Sequence, residues 1–398
     1  MVTQKIVIVG GGLAASRTAE QLRRAEYAGD IVIVSDEVHL PYDRPPLSKK
    51  LLAGEWEPDR IALRKPESFD ELDLDGRYGV AATSLDPARR ELGLDDGTTL
   101  AYDGLVIATG TRCRRLPGQP EWVHELRSLD DALRLRAELV EGRRLVVIGA
   151  GFIGLEVAAT ARQRGLEVTV LEGAPAPLIR GLGAEMGATV AAVHADNGVP
   201  IRCNARIAAI EEAGVRLDDG ELVPADIVVV GIGVTPAVEW LDGSGLELRD
   251  GIVCDATLWT GLPGVYAAGD CVRWYNGLFG EEMRVEHWTN AAEQGALAAS
   301  NLLAVARGDA PVPYRPVPFF WSDQYNARIQ FLGRSAPDDE IRIVTGSPEE
   351  GGFVALYGRA GRLHGALGLN RPRLVMPYRR LLDQQASWED ALAHAAAT

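Results

Sequence analysis

Residues 143–173 read RRLVVIGAGFIGLEVAATARQRGLEVTVLEG, and residues 5–25 read KIVIVGGGLAASRTAEQLRRA. Each stretch opens on a short apolar run, turns through closely spaced glycines and continues with helical periodicity. In the second, the turn is Gly149-x-Gly151-x-x-Gly154; in the first it is Gly10-x-Gly12-x-x-Ala15, after which Leu13 and Ala14 begin the helix. The leading glycine of each turn permits the tight bend, the next lets a pyrophosphate approach the backbone, and the small third residue lets helix and strand pack closely. The helix N-terminus then offers unpaired N–H groups and a partial positive charge to the phosphate. A second strand follows each helix and ends on an acid: Asp36, 24 residues after Gly12, and Glu172, 21 residues after Gly151. Such an acid can accept hydrogen bonds from an adenosine ribose. One glycine fingerprint alone is weak, but two in the same strand-turn-helix-strand context imply two bound dinucleotides.

Glu172 favours NADH over NADPH, because a carboxylate suits a free ribose diol and repels a 2'-phosphate. Its neighbours Leu171, Gly173 and Ala174 carry no cation, although Arg180 lies within reach of turning back. Two further strands end in small-residue turns: YDGLVIATG, which closes on Thr109 and Gly110, and GLPGVYAAGDC, which carries Gly269 and Asp270. An acid at a strand end is placed to bind a ribityl hydroxyl or to reach a phosphate through water; its plainer role is a helix cap.

A chain of 398 residues, 46% hydrophobic and 24% charged, can bury two or three ordinary cores and is expected to be a soluble multidomain protein. No stretch approaches a membrane span and no cleavable leader is evident, so a cytoplasmic location is expected. A net charge of −15 argues against nonspecific binding to nucleic acid or to an anionic membrane. Cys113, Cys203, Cys254 and Cys271 are too widely spaced for a C-x-x-C dithiol, zinc knuckle or locally ligated cluster, and the histidines show no metal-binding spacing.

The segment at 41–50, PYDRPPLSKK, is also without sulfur. Together with GGGLAA, LVIATG, LRSLDDA, VVIGAGFIGLEVAATA, ADIVVVGIGVTP, VYAAGDC, VEHWTNAAEQG and FFWSDQY, it makes the chain resemble, essentially end to end, the two-dinucleotide flavoprotein reductases. Within them it is similar to the ferredoxin reductases of the type of putidaredoxin reductase and the reductase component of biphenyl dioxygenase. RPPLSK, and EHWTNA taken with WSDQY, are the motifs that separate this subgroup from its relatives. The resemblance implies an α/β, glutathione-reductase-like fold, with two Rossmann-like dinucleotide-binding domains and an α+β C-terminal domain. It places an FAD-binding domain at 1–110 and 238–314, an NADH-binding domain at 111–237, and the C-terminal domain at 315–398, beyond a proline-rich linker.

By the same resemblance, Ala14, Asp36, Arg44, Lys49, Ala82, Arg127, Asp270 and Trp288 contact FAD. Gly151, Ile153, Gly154, Glu156, Glu172 and Gly233 form the NADH site, and Trp321 stands near the isoalloxazine where a redox partner docks. Lys49 is expected to stabilise the negative charge of reduced FAD and to pair with Glu156. Where the disulfide-reductase branch uses a thiol, electrons here are expected to leave directly from the flavin, which can hold two electrons and release them singly.

The implied partner is an iron-sulfur ferredoxin serving a cytochrome P450 or an aromatic-ring dioxygenase, with rubredoxin as an alternative acceptor. Residues 351–382 hold six arginines and no carboxylate, so docking is expected near Lys49, Trp321, Arg371 and Arg373, with help from Lys50 and Arg328. A small-molecule reductase similar to monodehydroascorbate reductase, and a redox-sensing assembly protein similar to apoptosis-inducing factor, are the other readings. The expected state is a monomer or weak homodimer.

Overall fold

The computed structural model describes residues 4–397. These fall into two units: the first holds the chain up to Asp43 with Ile61–Arg112 and Thr235–Pro318, and the second holds Arg44–Arg60, Cys113–Val234 and the chain from Phe319.

The first unit is built on a five-stranded parallel sheet, ordered Val265–Ala267, Gly104–Ile107, Lys5–Val9, Asp30–Ser35, Leu74–Tyr78. Its inner strands are apolar at nearly every position, as a parallel sheet covered on both faces requires. Val9 pairs with Val34 on one side and Ile107 on the other, so three strand ends line up where Gly10 begins its turn. The chain leaves Lys5–Val9 for the helix Leu13–Arg24 and then for the neighbouring strand on one side only. The strand order therefore reverses at this edge, the place where open α/β sheets bind ligands.

Helix Leu13–Arg24 is covered by the long helix Trp288–Arg307. The Thr18 hydroxyl donates to Ala14 O at 2.8 Å and to Gly295 O at 3.0 Å, tying the two helices together. A Cβ at position 295 would lie 2.3 Å from Ala14 O, so only glycine allows the approach.

The second unit contains a four-stranded parallel sheet, ordered Ile201–Arg202, Glu167–Leu171, Arg144–Ile148, Ile227–Val230. It also contains a five-stranded antiparallel sheet, ordered Phe319–Gln324, Ala327–Gly333, Arg362–Leu369, Gly352–Arg359, Glu340–Ser347. One apolar cluster runs through both, from Leu155 and Val157 to Phe331, Phe353 and Tyr357. Phe152 meets Phe320 edge-on with centroids 4.7 Å apart, and the Tyr357 hydroxyl donates to Leu182 O at 2.9 Å. The C-terminal segment thus shares its core with the second parallel sheet. The α/β fold with its α+β C-terminal part is as the sequence reading has it.

Arg44–Arg60, which the sequence reading placed within the 1–110 segment, packs in the second unit. Pro45 and Pro46 bias the backbone into the short 3₁₀ turn Pro45–Ser48, and the chain then buries Leu51 and Leu52. Thr160 donates to Ser48 O at 2.8 Å, Arg164 to Leu52 O at 2.8 Å, and Arg136 pairs with Glu57 at 2.7 Å. Among the described residues no helix is long and apolar enough to cross a membrane. Gly295→Val is expected to lower unfolding stability by about 2–3 kcal/mol, as overpacking does, measured by denaturant titration followed by circular dichroism.

Candidate functional site

The two glycine turns are built alike. Gly10 has φ +126° and its N–H donates to Val34 O at 2.7 Å; Gly149 has φ +107° and donates to Leu171 O at 2.7 Å. A Cβ at position 10 would fall 2.1 Å from Ala108 O, and one at position 149 would fall 2.4 Å from Gly231 O. Gly154 is held as tightly, with a virtual Cβ 2.2 Å from Gly149 O. Gly12 and Gly151 are the opposite case: a Cβ on either would meet nothing within 4 Å. Each is the N-cap of its helix and no side chain caps it, so each turn keeps open space and uncapped amides at one point. That cradle fits a pyrophosphate.

The acids that follow are not equivalent. The glycine-to-strand hydrogen bonds match Val34 with Leu171, so Ser35 stands at the place of Glu172 and Asp36 one residue beyond, exposed. Glu172 accepts from Ala150 N and Ala174 N, both at 2.7 Å, which fixes its carboxylate beside the second turn. Position 233, with φ +105°, would place a Cβ 3.5 Å from an Arg180 guanidinium nitrogen. Ile153, at the start of the second helix, is 49% exposed, an apolar side chain left open beside the glycine turn.

In the first unit, the Thr109 hydroxyl donates to Ala237 O at 2.7 Å and Ala237 N donates to Gly110 O at 3.0 Å. Gly269 N donates to Gln294 Oε1 at 2.8 Å, which holds the turn ahead of Asp270. Trp288 Nε1 donates to Asp43 at 2.6 Å, and Ala82 is half-buried in the strand Ala82–Asp86.

The second unit brings Lys49 and Glu156 together, with Lys49 Nζ 2.7 Å from Glu156 Oε2. Glu156 is 2% exposed, so its charge depends on its neighbours: Ser48 donates to Oε2 and Ser322 donates to Oε1 at 2.6 Å. Arg44 donates to Arg127 O. Arg127 is presented by the cap of helix Leu129–Glu138, where Ser128 and Asp131 bond reciprocally. Trp321 lies on the strand Phe319–Gln324, stacked on Phe319 with centroids 6.1 Å apart. Side chains alternate along that strand, so Ser322 and Gln324 are fully buried on the face opposite Trp321.

None of the four cysteines is placed for thiolate chemistry. Burial pushes the Cys271 thiol up to about 11 and Cys254 well above its ordinary value, and it raises Cys113 and Cys203 as well. Among the described residues no cluster of histidine, cysteine or acid could hold a metal ion.

Residues 4–295 match the pyridine nucleotide-disulphide oxidoreductase family, and residues 319–398 match the reductase C-terminal family. The chain belongs to the pyridine nucleotide-disulphide oxidoreductases. This oxidoreductase family uses FAD with NAD(H), which agrees with the two cradles. The chain is 40% identical, over 96% of its length and 95% of the relative's, to the anthranilate 1,2-dioxygenase system ferredoxin–NAD(+) reductase component of Burkholderia cepacia. It is 36% identical to putidaredoxin reductase of Pseudomonas putida, covering 92% of this chain and 89% of that protein. A crystal structure of the covalent putidaredoxin reductase–putidaredoxin complex superposes with a TM-score of 0.92 at 33% identity, covering 99% of this chain and 98% of that one.

Sequence reasoning about this oxidoreductase missed Ser48, Ser322, Gln324, His194 and Gln294. The signal for four of them was available in the quoted motifs, since RPPLSK contains Ser48, VEHWTNAAEQG contains Gln294, and FFWSDQY contains Ser322 and Gln324. His194 is fully buried and bonds Gln324 Oε1 at 2.9 Å. Burial lowers its proton affinity below the ordinary value of 6.5, so below that pH the unfolded chain binds a proton that the folded chain resists. Stability is then full above pH 6.5 and falls with decreasing pH. Resistance to thermal unfolding is expected to fall between pH 6.5 and pH 5 by up to about 1.4 kcal/mol per pH unit from this group. His194→Phe is expected to lose that part of the slope.

Proposed function

We propose that the chain is an NADH-dependent ferredoxin reductase that takes a hydride from NADH and passes electrons one at a time to an iron-sulfur ferredoxin. The observation that carries this reading is a pair of dinucleotide cradles in a chain whose four cysteines are free thiols, with Cys254 and Cys271 buried and all four shifted by desolvation away from the thiolate. Bound FAD supplies the step between a two-electron donor and a one-electron acceptor.

In this reading the segments 1–110 and 238–314 bind FAD, 111–237 bind NADH, and 315–398 form the C-terminal domain. Gly10, Gly12, Leu13 and Ala14 hold the FAD pyrophosphate, and Asp36 takes the ribose hydroxyls. By the family resemblance, Ala82, Thr109, Gly110, Gly269, Asp270, Trp288, Arg44, Lys49, Arg127 and Trp321 are assigned to the rest of the cofactor. Gly149, Gly151, Ile153, Gly154, Glu156, Glu172 and Gly233 take NADH. The pinned carboxylate of Glu172 favours a ribose diol over a 2'-phosphate. Arg180 stands at Gly233, where a Cβ would lie 3.5 Å from its guanidinium. Lys49 is assigned as the cation that would stabilise the negative charge of reduced flavin. The relatives named above serve a dioxygenase system and putidaredoxin, which supports a ferredoxin feeding an aromatic-ring dioxygenase or a cytochrome P450.

Docking is proposed around Lys49 and Trp321, with positive charge from the arginine-rich C-terminal run. Arg371 lies 3.8 Å from Glu350, and Arg359 lies within 3.5 Å of Asp339, so both are partly neutralised. Arg362, Arg373 and Arg380 are exposed and carry more of the patch.

Steady-state NADH oxidation with a panel of purified ferredoxins is the test, and turnover only with oxygen or small quinones would reject the reading. Within it, Arg371→Glu with Arg373→Glu is expected to raise KM for ferredoxin about tenfold and to flatten its salt dependence, while sparing dye reduction. A variant with all four cysteines changed to serine or alanine is expected to keep ferredoxin turnover within about threefold, because thiols shifted away from the thiolate form have no part in electron exit.

A further inference from the structure

The ion pair Lys49–Glu156 is one end of a longer buried chain of polar groups. Glu156 Oε1 accepts the Ser322 hydroxyl at 2.6 Å. Ser322 Oγ accepts from Gln324 Nε2 at 3.1 Å, and Gln324 Oε1 bonds His194 Nε2 at 2.9 Å. The Tyr325 hydroxyl lies 3.5 Å from His194 Nδ1. Ser322, Gln324 and His194 are each 0% exposed, so none of these bonds is exchanged for water.

The order of donors is set by the chemistry of each group. Glu156 is an acceptor paired with Lys49, so Ser322 must donate to it. Ser322 therefore accepts, and only the amide nitrogen of Gln324 can give it a hydrogen. That leaves the Gln324 carbonyl oxygen towards His194, so His194 must carry its proton on Nε2. Every N–H and O–H along the path points towards Glu156. The aligned dipoles present their positive end to a carboxylate that is 2% exposed.

We infer that Ser322, Gln324 and His194 are positioning residues for electron transfer: a polarised hydrogen-bond chain that shares the charge of Glu156 and so preserves the positive field of Lys49. The inference rests on the reading of Lys49 as the cation serving reduced flavin. It gives the strand Phe319–Gln324 two tasks on opposite faces, because Trp321 projects from one and the chain to Glu156 starts on the other. Asp323, between them, points away from the buried face and is 41% exposed in its side chain, so it takes no part.

The experiment compares Ser322→Ala, Ser322→Thr and Gln324→Leu in the flavin-loaded protein. Flavin content and reduction by NADH in the unaltered protein are measured first; failure there rejects the reading of the function and not the chain of dipoles. Given both, Ser322→Ala and Gln324→Leu are expected to lower the midpoint potential of the bound flavin, measured by equilibration with redox dyes. They are also expected to slow flavin reduction by NADH about tenfold while changing KM for NADH less than about twofold. Ser322→Thr, which keeps the hydroxyl, is expected to return both quantities to the unaltered values. Unchanged potential and rate in Ser322→Ala, even with a lower melting temperature, would overturn the inference, since a purely structural bond moves stability alone. A Ser322→Thr variant that behaves like Ser322→Ala while remaining folded would overturn it as well. Should Gln324→Leu fail to fold, Ser322→Ala and Ser322→Thr decide the matter without it.

Discussion

A carboxylate taken out of water must be met by donors or it gives up its charge, and Glu156 is the place where that constraint organises the second unit. Standing on the helix Phe152–Gln163, it draws partners from two other parts of the chain: Ser48 and Lys49 from the RPPLSK turn, and Ser322 from the first antiparallel strand. Removing one member of a buried pair typically costs about 3–5 kcal/mol, because the other charge stays behind unpaired. Arg44–Arg60 therefore keeps its place in the second unit for an electrostatic reason as well as through the burial of Leu51 and Leu52.

The same helix carries both kinds of demand. At its start, Gly151 and Gly154 answer steric requirements, one leaving room and the other allowing a backbone approach. One residue beyond Leu155, Glu156 answers an electrostatic one. A sequence of IGLE after the glycine turn thus packs an apolar anchor, a cradle and a charged group into a single helical turn, with Leu155 and Val157 filling the core on either side.

What was legible in the sequence follows from the range of the interaction concerned. The glycine turns were readable because each rests on contacts that the local strand-turn-helix geometry imposes, and the two parallel sheets followed from their apolar runs. The pairing of Lys49 with Glu156 came only through family resemblance, since nothing in periodicity joins residues so far apart. Ser322 is 166 positions from Glu156, and His194 is 130 from Gln324; both look like ordinary core or surface residues until the fold brings them together. The ribose acid was assigned by counting, which could not show that Ser35 takes the place matching Glu172 and that Asp36 lies one step further. The arginine run was visible as composition, yet the acids that engage Arg359 and Arg371 come from neighbouring strands and turns outside it.

The helix Trp288–Arg307 closes over the first glycine-turn helix, and Gly295 sets how near the two can come. Those partners are more than 260 residues apart in the chain, with the whole second parallel sheet encoded between them. During synthesis on a ribosome, the amino-terminal strand and helix must wait, with their apolar face uncovered, until residues beyond 307 have left the exit tunnel. A message truncated between residues 268 and 288 would encode every strand of the first unit's parallel sheet and none of the helix that covers Leu13–Arg24.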